Sequence, residues 1–332
     1  MALTSRSLSL ADCGQLAQFF AAYEKVEDSG EVWSEADISS LAAMPVVDIA
    51  NNSRGIYHGD ELVAVGLLLP DFLAREDDTD GPQPVRLQWH GRVGHGHQGQ
   101  GLGTELLDWA TRRASVLADS AQLRIRARIR RDDAAANALL SATGFTPIRW
   151  YFGMRKPLVT AEDRARLSER AATQLRLAPF TPEISLAVLE CHNAAFADAW
   201  ESPRAEPEAW ESLIIGAPQF RADLSFVFLD RQDRVAGLLL GYYNEAKFAQ
   251  TGQREVLFAP IATLREWRGQ GLAGALMQAS GNRAFELGFA AAILEVDSES
   301  PTGALGVYRK AGFEVNREFV TYEFTATGTH QA

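Results

Sequence analysis

Two short glycine-rich segments of the same form constrain the fold of this sequence more than any other feature. They are residues 98–103 (Gln-Gly-Gln-Gly-Leu-Gly) and residues 268–273 (Arg-Gly-Gln-Gly-Leu-Ala). Each follows an extended apolar stretch and opens an apolar-periodic helix. Glycines at such a turn let the backbone approach a ligand closely, and the first helical N–H groups have no partner within the helix. Because the helix dipole adds positive charge there, each segment predicts a site for an anion such as pyrophosphate.

The two segments belong to an internal duplication with a period of roughly half the chain. A Gly-Phe pair follows each of them, at Gly144-Phe145 and Gly312-Phe313. Both halves also predict the same order of elements, in which a strand and two helices precede a hairpin, and a strand ends in the glycine segment. A length of 332 residues suits two domains. We therefore predict an α/β fold (α+β, mixed sheet) with domains at 1–157 and 174–332 and a helical linker at 158–173.

Composition narrows the classes of protein that this chain can belong to. The hydrophobic content is 46% and the charged content 23%, as in ordinary globular proteins. No window approaches the roughly 20 apolar residues of a membrane span, and the N-terminus has no export signal. Cys13 and Cys191 are too few for a disulfide framework, so we expect a cytoplasmic protein. The net charge of −11 disfavours nucleic acids and suits a cationic substrate, although solubility alone would explain it equally well.

The glycine segments and their surroundings resemble the acetyl-CoA loop of the GNAT N-acetyltransferases. The second copy also has Leu294-Glu295-Val296-Asp297, and Tyr308 precedes Gly312-Phe313 by four residues. The resemblance covers nearly the whole chain, and the tandem order is similar to the mycothiol-synthase-like branch. It implies that each domain has a mostly antiparallel central sheet flanked by helices, with acetyl-CoA as co-substrate and no metal. The implied coenzyme contacts are Ile261, Ala262, Thr263, Arg268, Gly269, Gln270, Gly271, Leu272 and Ala273 in the second half, and Gly91, Arg92, Val93, Gln98, Gly99, Gln100, Gly101, Leu102 and Gly103 in the first.

The same resemblance assigns catalytic roles in the second half. Acetyl transfer from a thioester to an amine requires loss of a proton from the amine, donors for the developing oxyanion and a proton for the departing thiolate. The family's usual acid is a tyrosine four residues before the Gly-Phe pair, here Tyr308, although a core aromatic is the alternative. For the base we favour Glu255 on the strand before the loop. Glu295 and Asp297 on the next strand, or a chain of water molecules, remain alternatives.

The first half lacks these groups. Leu140 stands where the second half has Tyr308, and the strand 85–93 contains no carboxylate. Three histidines at 90, 95 and 97 lie near the glycine segment, but no cysteine or carboxylate completes a metal site beside them. We therefore predict a first domain that is not catalytic and that holds CoA or serves as a structural partner.

For the acceptor, the sequence predicts a primary amine of a small molecule. Aromatic and acidic residues in the second half suit a positively charged amine, although they could equally be core residues. The candidate substrate contacts are Trp200, Tyr242 and Tyr243. The alternatives are an acetyltransferase acting on a protein or peptide amine, and a CoA-binding regulatory protein without activity. We expect no nucleic-acid or membrane partner, and a monomer or homodimer.

Overall fold

The structure is a computed structural model. It describes residues 2–27, 32–71, 83–119, 121–160, 167–197, 199–200, 204–300 and 302–327. The chain forms two compact units. The first unit comprises Met1–Trp150 and Phe319–Ala332, and the second comprises Tyr151–Glu318.

The first unit is built around a mostly antiparallel sheet. Its strands are β1 (Leu3–Arg6), β2 (Ser53–His58), β3 (Glu61–Pro70), β4 (Val85–Val93), β5 (Gln122–Arg130) and the part of β12 (Glu314–Thr327) that begins at Phe319. They lie in the order β1-β2-β3-β4-β5-β12, and within the described residues only β4 and β5 are parallel neighbours. The helices are α1 (Cys13–Glu27), α2 (Glu35–Ala42), α3 (Leu102–Ala118) and α4 (Ala134–Ala142).

The second unit repeats this plan. Its strands are the part of β6 (Thr146–Pro157) from Tyr151, then β7 (Arg176–Pro179), β8 (Phe220–Leu229), β9 (Val235–Tyr242), β10 (Glu255–Thr263) and β11 (Ala291–Asp297). They lie in the order β6-β11-β10-β9-β8-β7, with β10 and β11 parallel. The helices are α5 (Glu169–Gln174), α6 (Ser185–Phe196), α7 (Pro207–Ala209), α8 (Glu245–Thr251), α9 (Leu272–Glu286) and α10 (Ala304–Lys310), and a π-helix covers Trp210–Ile215. The predicted fold class, a mixed sheet flanked by helices in tandem units, is confirmed.

The final strand of each sequence half pairs with a strand of the other sequence half. Residues Tyr151–Pro157 of β6 pair antiparallel with Asp297–Ala291 of β11. Residues Phe319–Thr327 of β12 pair with Arg130–Gln122 of β5. The structure therefore divides the chain differently from the predicted boundaries of 1–157 and 174–332, because each final strand takes its hydrogen bonds from the other half's sheet. Of the predicted linker 158–173, residues 161–166 lie outside the described residues, and α5 begins at Glu169.

Helix packing on one face of each sheet positions the glycine turns. In the second unit, Leu272, Leu276 and Ala284 of α9 are at most 2% exposed and belong to the core cluster that also contains Val256 and Leu294. In the first unit, α3 packs in the same way on β4 and β5. Each fully buried leucine contributes about 1.5–3 kcal/mol through removal of its surface from water. These contacts fix the start of each helix beside the end of the preceding strand.

Most predicted elements are confirmed, and two features were not predicted. The bounds of β4 and β10 agree with the predicted strands at residues 85–93 and 255–263. Helix α8 lies in a stretch where no element was predicted, and its N-cap is Asn244, whose side chain accepts a hydrogen bond from the Lys247 N–H. The second of the two helices predicted before the hairpin is a short α-helix, Pro207–Ala209, that continues as a π-helix. No described helix combines the length and the apolar character needed to span a bilayer.

Candidate active site

The second unit opens a gap between its two parallel strands. β10 and β11 pair only from Glu255 to Leu257, opposite Ala291 to Ile293. Both strands continue further, to Thr263 and Asp297. Alternate main-chain amides of a strand point to the same edge, so beyond Leu257 the facing edges offer donors and acceptors to whatever enters the gap. An extended ligand arm can therefore lie between these strands as a further hydrogen-bonded chain.

A β-bulge on the other edge of β10 adds one residue beside this gap. Phe258 lies opposite Gly241 of β9, whereas Ile261 lies opposite Leu239, so three steps on β10 match two on β9. The bulge contains the cis Ala259–Pro260 peptide bond. A bulge leaves its extra residue outside the ladder and redirects the strand. Here it bends the segment Ile261 to Thr263 at the start of the glycine turn.

The glycine turn has the backbone geometry of an anion site. Gly269 and Gly271 have φ angles of 74° and 91°, which side chains other than glycine rarely adopt. A Cβ atom built on either would meet no atom within 4 Å, so both glycines face open space. Gly271 is the N-cap of α9, whose first N–H groups therefore point out of the turn. Backbone conformation and the helix dipole together favour a negatively charged group at this position.

The side chains of Arg268 and Gln270 in this turn hydrogen-bond to neighbouring parts of the protein. Arg268 Nη2 donates to the carbonyl of Ala195 at 2.9 Å, which ties the end of α6 to the turn. Gln270 Nε2 donates to the carbonyl of Glu266 at 3.0 Å, while its Oε1 accepts from the Ser168 hydroxyl at 3.0 Å. Any contact of Gln270 with an anion is therefore made by main chain.

A cavity of about 1050 Å³ joins the strand gap to the glycine turn. Of the coenzyme contacts predicted in this half, all except Gln270 line it: Ile261, Ala262, Thr263, Arg268, Gly269, Gly271, Leu272 and Ala273. Ligand sites in proteins are usually concave and mostly pre-formed, with volumes of about 300–1,000 Å³. The sequence prediction thus corresponds to one continuous cavity in the second unit.

Tyr308 lies at this cavity with its ring in the core. Its side chain is 9% exposed and belongs to the same buried cluster as Phe258 and Phe313. Among the described residues, no group hydrogen-bonds to its hydroxyl. Burial raises the pKa of the phenol to about 12. The hydroxyl therefore stays protonated at neutral pH and can donate a proton into the cavity.

The structure places Glu255 away from the position expected of a base. Glu255 lies at the first residue of β10, about six residues or 20 Å along the strand from Ile261, and it does not line the cavity. Arg155 Nε donates to its Oε1 at 2.7 Å, and Lys247 Nζ lies 3.3 Å from Oε2. A base must come within hydrogen-bond reach of its proton, directly or through one water molecule. The geometry therefore assigns Glu255 to an ion-pair network.

Of the predicted substrate contacts, only Trp200 lines the cavity. The hydroxyl of Tyr242 donates to the carbonyl of Ile214 in the π-helix at 3.1 Å, and burial raises its pKa. Tyr243 packs edge-to-face on Phe289, with centroids 5.1 Å apart. The structure therefore places Tyr242 and Tyr243 outside the lining of this cavity, with their side chains engaged elsewhere in the unit.

Other lining residues were not among the predicted site residues. Tyr151 and Lys156 belong to β6, the final strand of the first sequence half. They line this cavity because residues 151–157 belong to the second unit. Phe196 at the end of α6 also lines the cavity. So do Glu295 and Asp297 of β11, the two alternative bases of the sequence prediction, which alternate with the buried Leu294 and Val296.

The first unit has a smaller cavity of about 310 Å³ beside its own glycine turn. Gly99 and Gly101 have φ angles of 73° and 83°. Every coenzyme contact predicted in this half except Gln100 lines the cavity: Gly91, Arg92, Val93, Gln98, Gly99, Gly101, Leu102 and Gly103. The Gln100 side chain points back to the Gly96 carbonyl at 3.4 Å. A glycine turn of the same backbone conformation is therefore present in both units.

Two features of the second unit are missing from the described residues of the first. The β3–β4 ladder runs from Pro70 opposite Leu87 to Ala64 opposite Val93 without a bulge. Leu140, 3% exposed, occupies the place of the phenol. His95 Nδ1 lies 3.1 Å from a Glu27 oxygen, and the other two histidines contact aromatic rings. Among the described residues, no cluster of three potential metal ligands occurs.

Comparison with solved structures identifies the fold. A GCN5-related N-acetyltransferase from Sphaerobacter thermophilus has a TM-score of 0.74 and 23% identity, over 97% of this chain and 95% of that one. A tandem GNAT protein from the clavulanic acid biosynthesis pathway has a TM-score of 0.71 and 16% identity, over 98% of both chains. A GNAT-family acetyltransferase from Colwellia psychrerythraea has a TM-score of 0.59 and 15% identity, over 98% of this chain and all of that one. The fold is that of the tandem GNAT proteins.

A protein-family model matches part of the second half of the chain. Residues 186–313 match the model of the acetyltransferase (GNAT) family. A search of curated proteins found no match. The family model thus matches within the second half, and the whole chain shares its fold with these GNAT proteins. The matched segment contains the bulge, the glycine turn and Tyr308.

Proposed function

We propose that this protein transfers the acetyl group of acetyl-CoA to a primary amine of a small molecule, and that the second unit carries the reaction. One observation carries the proposal. Tyr308, whose ring is buried and whose hydroxyl has no hydrogen-bond partner among the described residues, lines the cavity in which β10 and β11 separate.

The residues present fit acetyl-CoA. Gly269 and Gly271 leave a cradle that any Cβ would enter, and the first N–H groups of α9 would hold the diphosphate. The open edge of Ile261 to Thr263 would hold the pantetheine arm through main chain. When bound, acetyl-CoA supplies an acetyl group activated as a thioester. Amides of the redirected strand would polarise its carbonyl, because preorganised donors stabilise developing negative charge.

In this proposal Tyr308 acts as the general acid. An ammonium substrate first loses one proton to water, and its nitrogen then forms the new carbon–nitrogen bond as the carbon–sulfur bond breaks. Tyr308 gives its proton to the departing sulfur and recovers one from the acylated nitrogen through water. One proton is released to solvent for each ammonium substrate consumed. The raised pKa of Tyr308 keeps it in the donating form.

We also propose that the first unit is not catalytic and holds a ligand or supports the fold. Its glycine turn is intact, but the first unit has Leu140 in place of a phenol and a continuous β3–β4 ladder. The tandem order with one catalytic half is what the mycothiol-synthase-like resemblance implies, and that branch is part of the proposal. The position of Glu255 outside the cavity argues against the base expected from that branch.

A thiol-release assay tests the proposal. The protein is incubated with acetyl-CoA and a panel of small amines, peptides and aminoglycosides, and free thiol is measured. We expect turnover with at least one small amine, and its loss in a Tyr308→Phe variant that still binds CoA. Turnover with peptides alone would replace the small-molecule acceptor. A folded protein that neither binds CoA nor releases thiol would overturn the proposal.

A further inference from the structure

We infer that Arg268 is a positioning residue that joins the coenzyme site of the second unit to the acceptor side of the same cavity. Its guanidinium holds the last turn of α6, so that a coenzyme bound at the glycine turn also fixes the wall against which the acceptor amine lies. The inference rests on the proposed function, because it concerns the same cavity and the same reaction.

The last turn of α6 and the residues that follow it form one wall of this cavity. The residues of this region that line it are Ala195, Phe196, Ala199 and Trp200. The Ala199 N–H donates to the Phe196 carbonyl at 2.9 Å. Asn193 donates through Nδ2 to the Ala205 carbonyl and accepts from the Ala205 N–H through Oδ1, both at 2.9 Å. The position of this wall therefore depends on the last turn of α6.

Helix α6 reaches the cavity from the face of the sheet opposite α9. Leu238 and Leu240 of β9 belong to the core cluster that contains α6, whereas Leu239 between them belongs to the cluster that contains α9. Successive side chains of a strand point to opposite faces, so the two helices cover different faces of the sheet. In the proposed reaction the diphosphate lies at the start of α9. The end of α6 therefore lies on the side that remains for the acceptor.

Arg268 connects this wall to the glycine turn. Its Nη2 donates to the Ala195 carbonyl at 2.9 Å, and its Nε donates to the Thr263 carbonyl at a longer distance of 3.4 Å. The last four carbonyls of a helix have no partner within it, and positive charge is favoured at that end. The guanidinium therefore supplies both a donor and a positive charge to α6, from the residue directly before Gly269.

The charge of Arg268 points to an anion in the cavity. Its side chain is partly buried and lines the cavity, and it forms no ion pair with any residue that the structure describes. Charges withdrawn from water are normally paired. A guanidinium has five N–H donors, and the two carbonyls take two of them. The other donors are available to a diphosphate beside the turn while Nη2 stays on α6.

Among its described residues, the first unit lacks this connection. Gln98 stands where the second unit has Arg268, and its Nε2 lies 3.4 Å from Nδ1 of His95 within the turn. The end of α1 is held instead by Arg130 of β5, whose Nη1 donates to the Glu27 carbonyl. A guanidinium thus bonds to a helix end in both units, but only in the second does it come from the glycine turn.

The test is hydrogen exchange on the full-length protein, with and without saturating CoA. The variant is Arg268→Gln, because the turn after Gln98 has the same two positive-φ glycines and so accepts a glutamine at this position. The matched control is Arg254→Gln. It removes a guanidinium bond of 2.7 Å to the Leu287 carbonyl at the end of α9, and Arg254 does not line the cavity. Each variant therefore loses a bond to the end of one helix.

We expect CoA to slow exchange of wild type in two regions, the glycine turn and the amides of Ala195, Phe196 and Ala199, by about 5-fold or more. In Arg268→Gln, CoA should still slow exchange in the turn, because main chain supplies those donors. It should change exchange at the end of α6 by less than about 2-fold. Arg254→Gln should respond to CoA as wild type does. A merely structural bond would raise exchange without CoA and leave the response to CoA unchanged.

Each outcome decides the inference separately from the proposed function. Protection of the α6 end that survives in Arg268→Gln, or that is absent from wild type with a protected turn, overturns the inference and leaves acetyl transfer intact. Equal loss of this protection in Arg254→Gln overturns it as well. Loss of protection in the turn itself in Arg268→Gln would make Arg268 a coenzyme contact only, which also overturns the inference.

If CoA protects neither region of wild type, the proposed function is overturned. The proteins without CoA then decide the positioning role of Arg268. Exchange at the end of α6 that is about 10-fold faster in Arg268→Gln than in Arg254→Gln supports this role, and equal exchange in the two variants overturns it.

Discussion

Arg155 Nε lies 2.7 Å from Oε1 of Glu255, and this ion pair joins β6 to the first residue of β10. Lys247 of α8 completes the group at 3.3 Å from Oε2. The Glu255 side chain is only 7% exposed, so solvent screens these charges weakly. Loss of one partner from such a shielded group leaves uncompensated charge, which is destabilising. The group therefore stabilises the N-terminal end of β10, which lies away from the glycine turn.

Substitution Glu255→Gln should lower stability and leave the chemistry intact. We expect a loss of about 1–3 kcal/mol in the free energy of unfolding, because Arg155 and Lys247 lose their carboxylate. Urea unfolding measures this loss, and thiol release measures kcat on the folded variant. A kcat reduced by 100-fold at unchanged stability would instead identify Glu255 as the catalytic base.

Two tyrosine-to-phenylalanine substitutions in the second unit, one of them a control, test the catalytic role of Tyr308. Tyr308→Phe should lower kcat by about 10²-fold or more through loss of the general acid. Tyr242→Phe removes the hydrogen bond to the Ile214 carbonyl and should cost about 1 kcal/mol of stability with kcat within about 2-fold. Steady-state kinetics and urea unfolding on both variants check this. Equal kcat losses in the two would remove the special role of Tyr308.

The buried phenol also predicts how stability depends on pH. The pKa of Tyr308 is raised to about 12 in the folded protein, against about 10 in the unfolded chain. Folding therefore favours the protonated form. Its contribution is complete below pH 10 and is lost as pH rises toward 12, with a total of about 3 kcal/mol. Wild type should lose more stability than Tyr308→Phe between pH 9 and pH 11.5 in urea unfolding, and parallel losses would contradict the shift.

Substitution of the two N-cap glycines distinguishes the roles of the two units. Gly271 and Gly101 have φ angles of 91° and 83°, so Gly271→Ala and Gly101→Ala should each cost about 1–2 kcal/mol in backbone strain. Only Gly271→Ala should weaken acetyl-CoA turnover, by about 10-fold or more in kcat/KM, because it moves the amides of α9. Turnover in Gly101→Ala should stay within about 2-fold. A loss of turnover in Gly101→Ala equal to that in Gly271→Ala would assign catalysis to both units.

The exchanged strand predicts which unit responds to a change in β6. Met154 belongs to the first half of the sequence, but it lies in the core of the second unit. It is 1% exposed and is opposite Leu294. Met154→Ala should cost about 2–4 kcal/mol through its cavity. Hydrogen exchange should rise in β10 and β11 and stay unchanged in β4 and β5. Faster exchange confined to β4 and β5 would contradict the strand assignment.

The local chemistry of the sequence was enough to predict most elements and both glycine turns. The bounds of β4 and β10 followed from strand periodicity, and both glycine turns have the positive φ angles that their glycines implied. The contrast between Leu140 and Tyr308 could also be read from spacing alone, because each stands four residues before a Gly-Phe pair. These features depend on neighbours within a few residues.

Other features depend on contacts between residues far apart in the chain. Glu255 and Tyr242 have side-chain types that suit a site, but their partners, Arg155 and Ile214, are distant in sequence, and the pairing removes both from the cavity. Glu295 and Asp297 line the cavity only because β10 and β11 separate there.

By itself, the sequence determined two duplicated units, their mixed sheets and their glycine turns, because helix periodicity, strand alternation and glycine conformation are local properties. Only the tertiary structure decided which sheet each final strand joins and which charged residues reach the cavity. The backbone of β6 can hydrogen-bond to the edge of either sheet, and its own residues do not specify which. Packing of Met154 beneath α9 and pairing with β11 settle that choice in the folded protein.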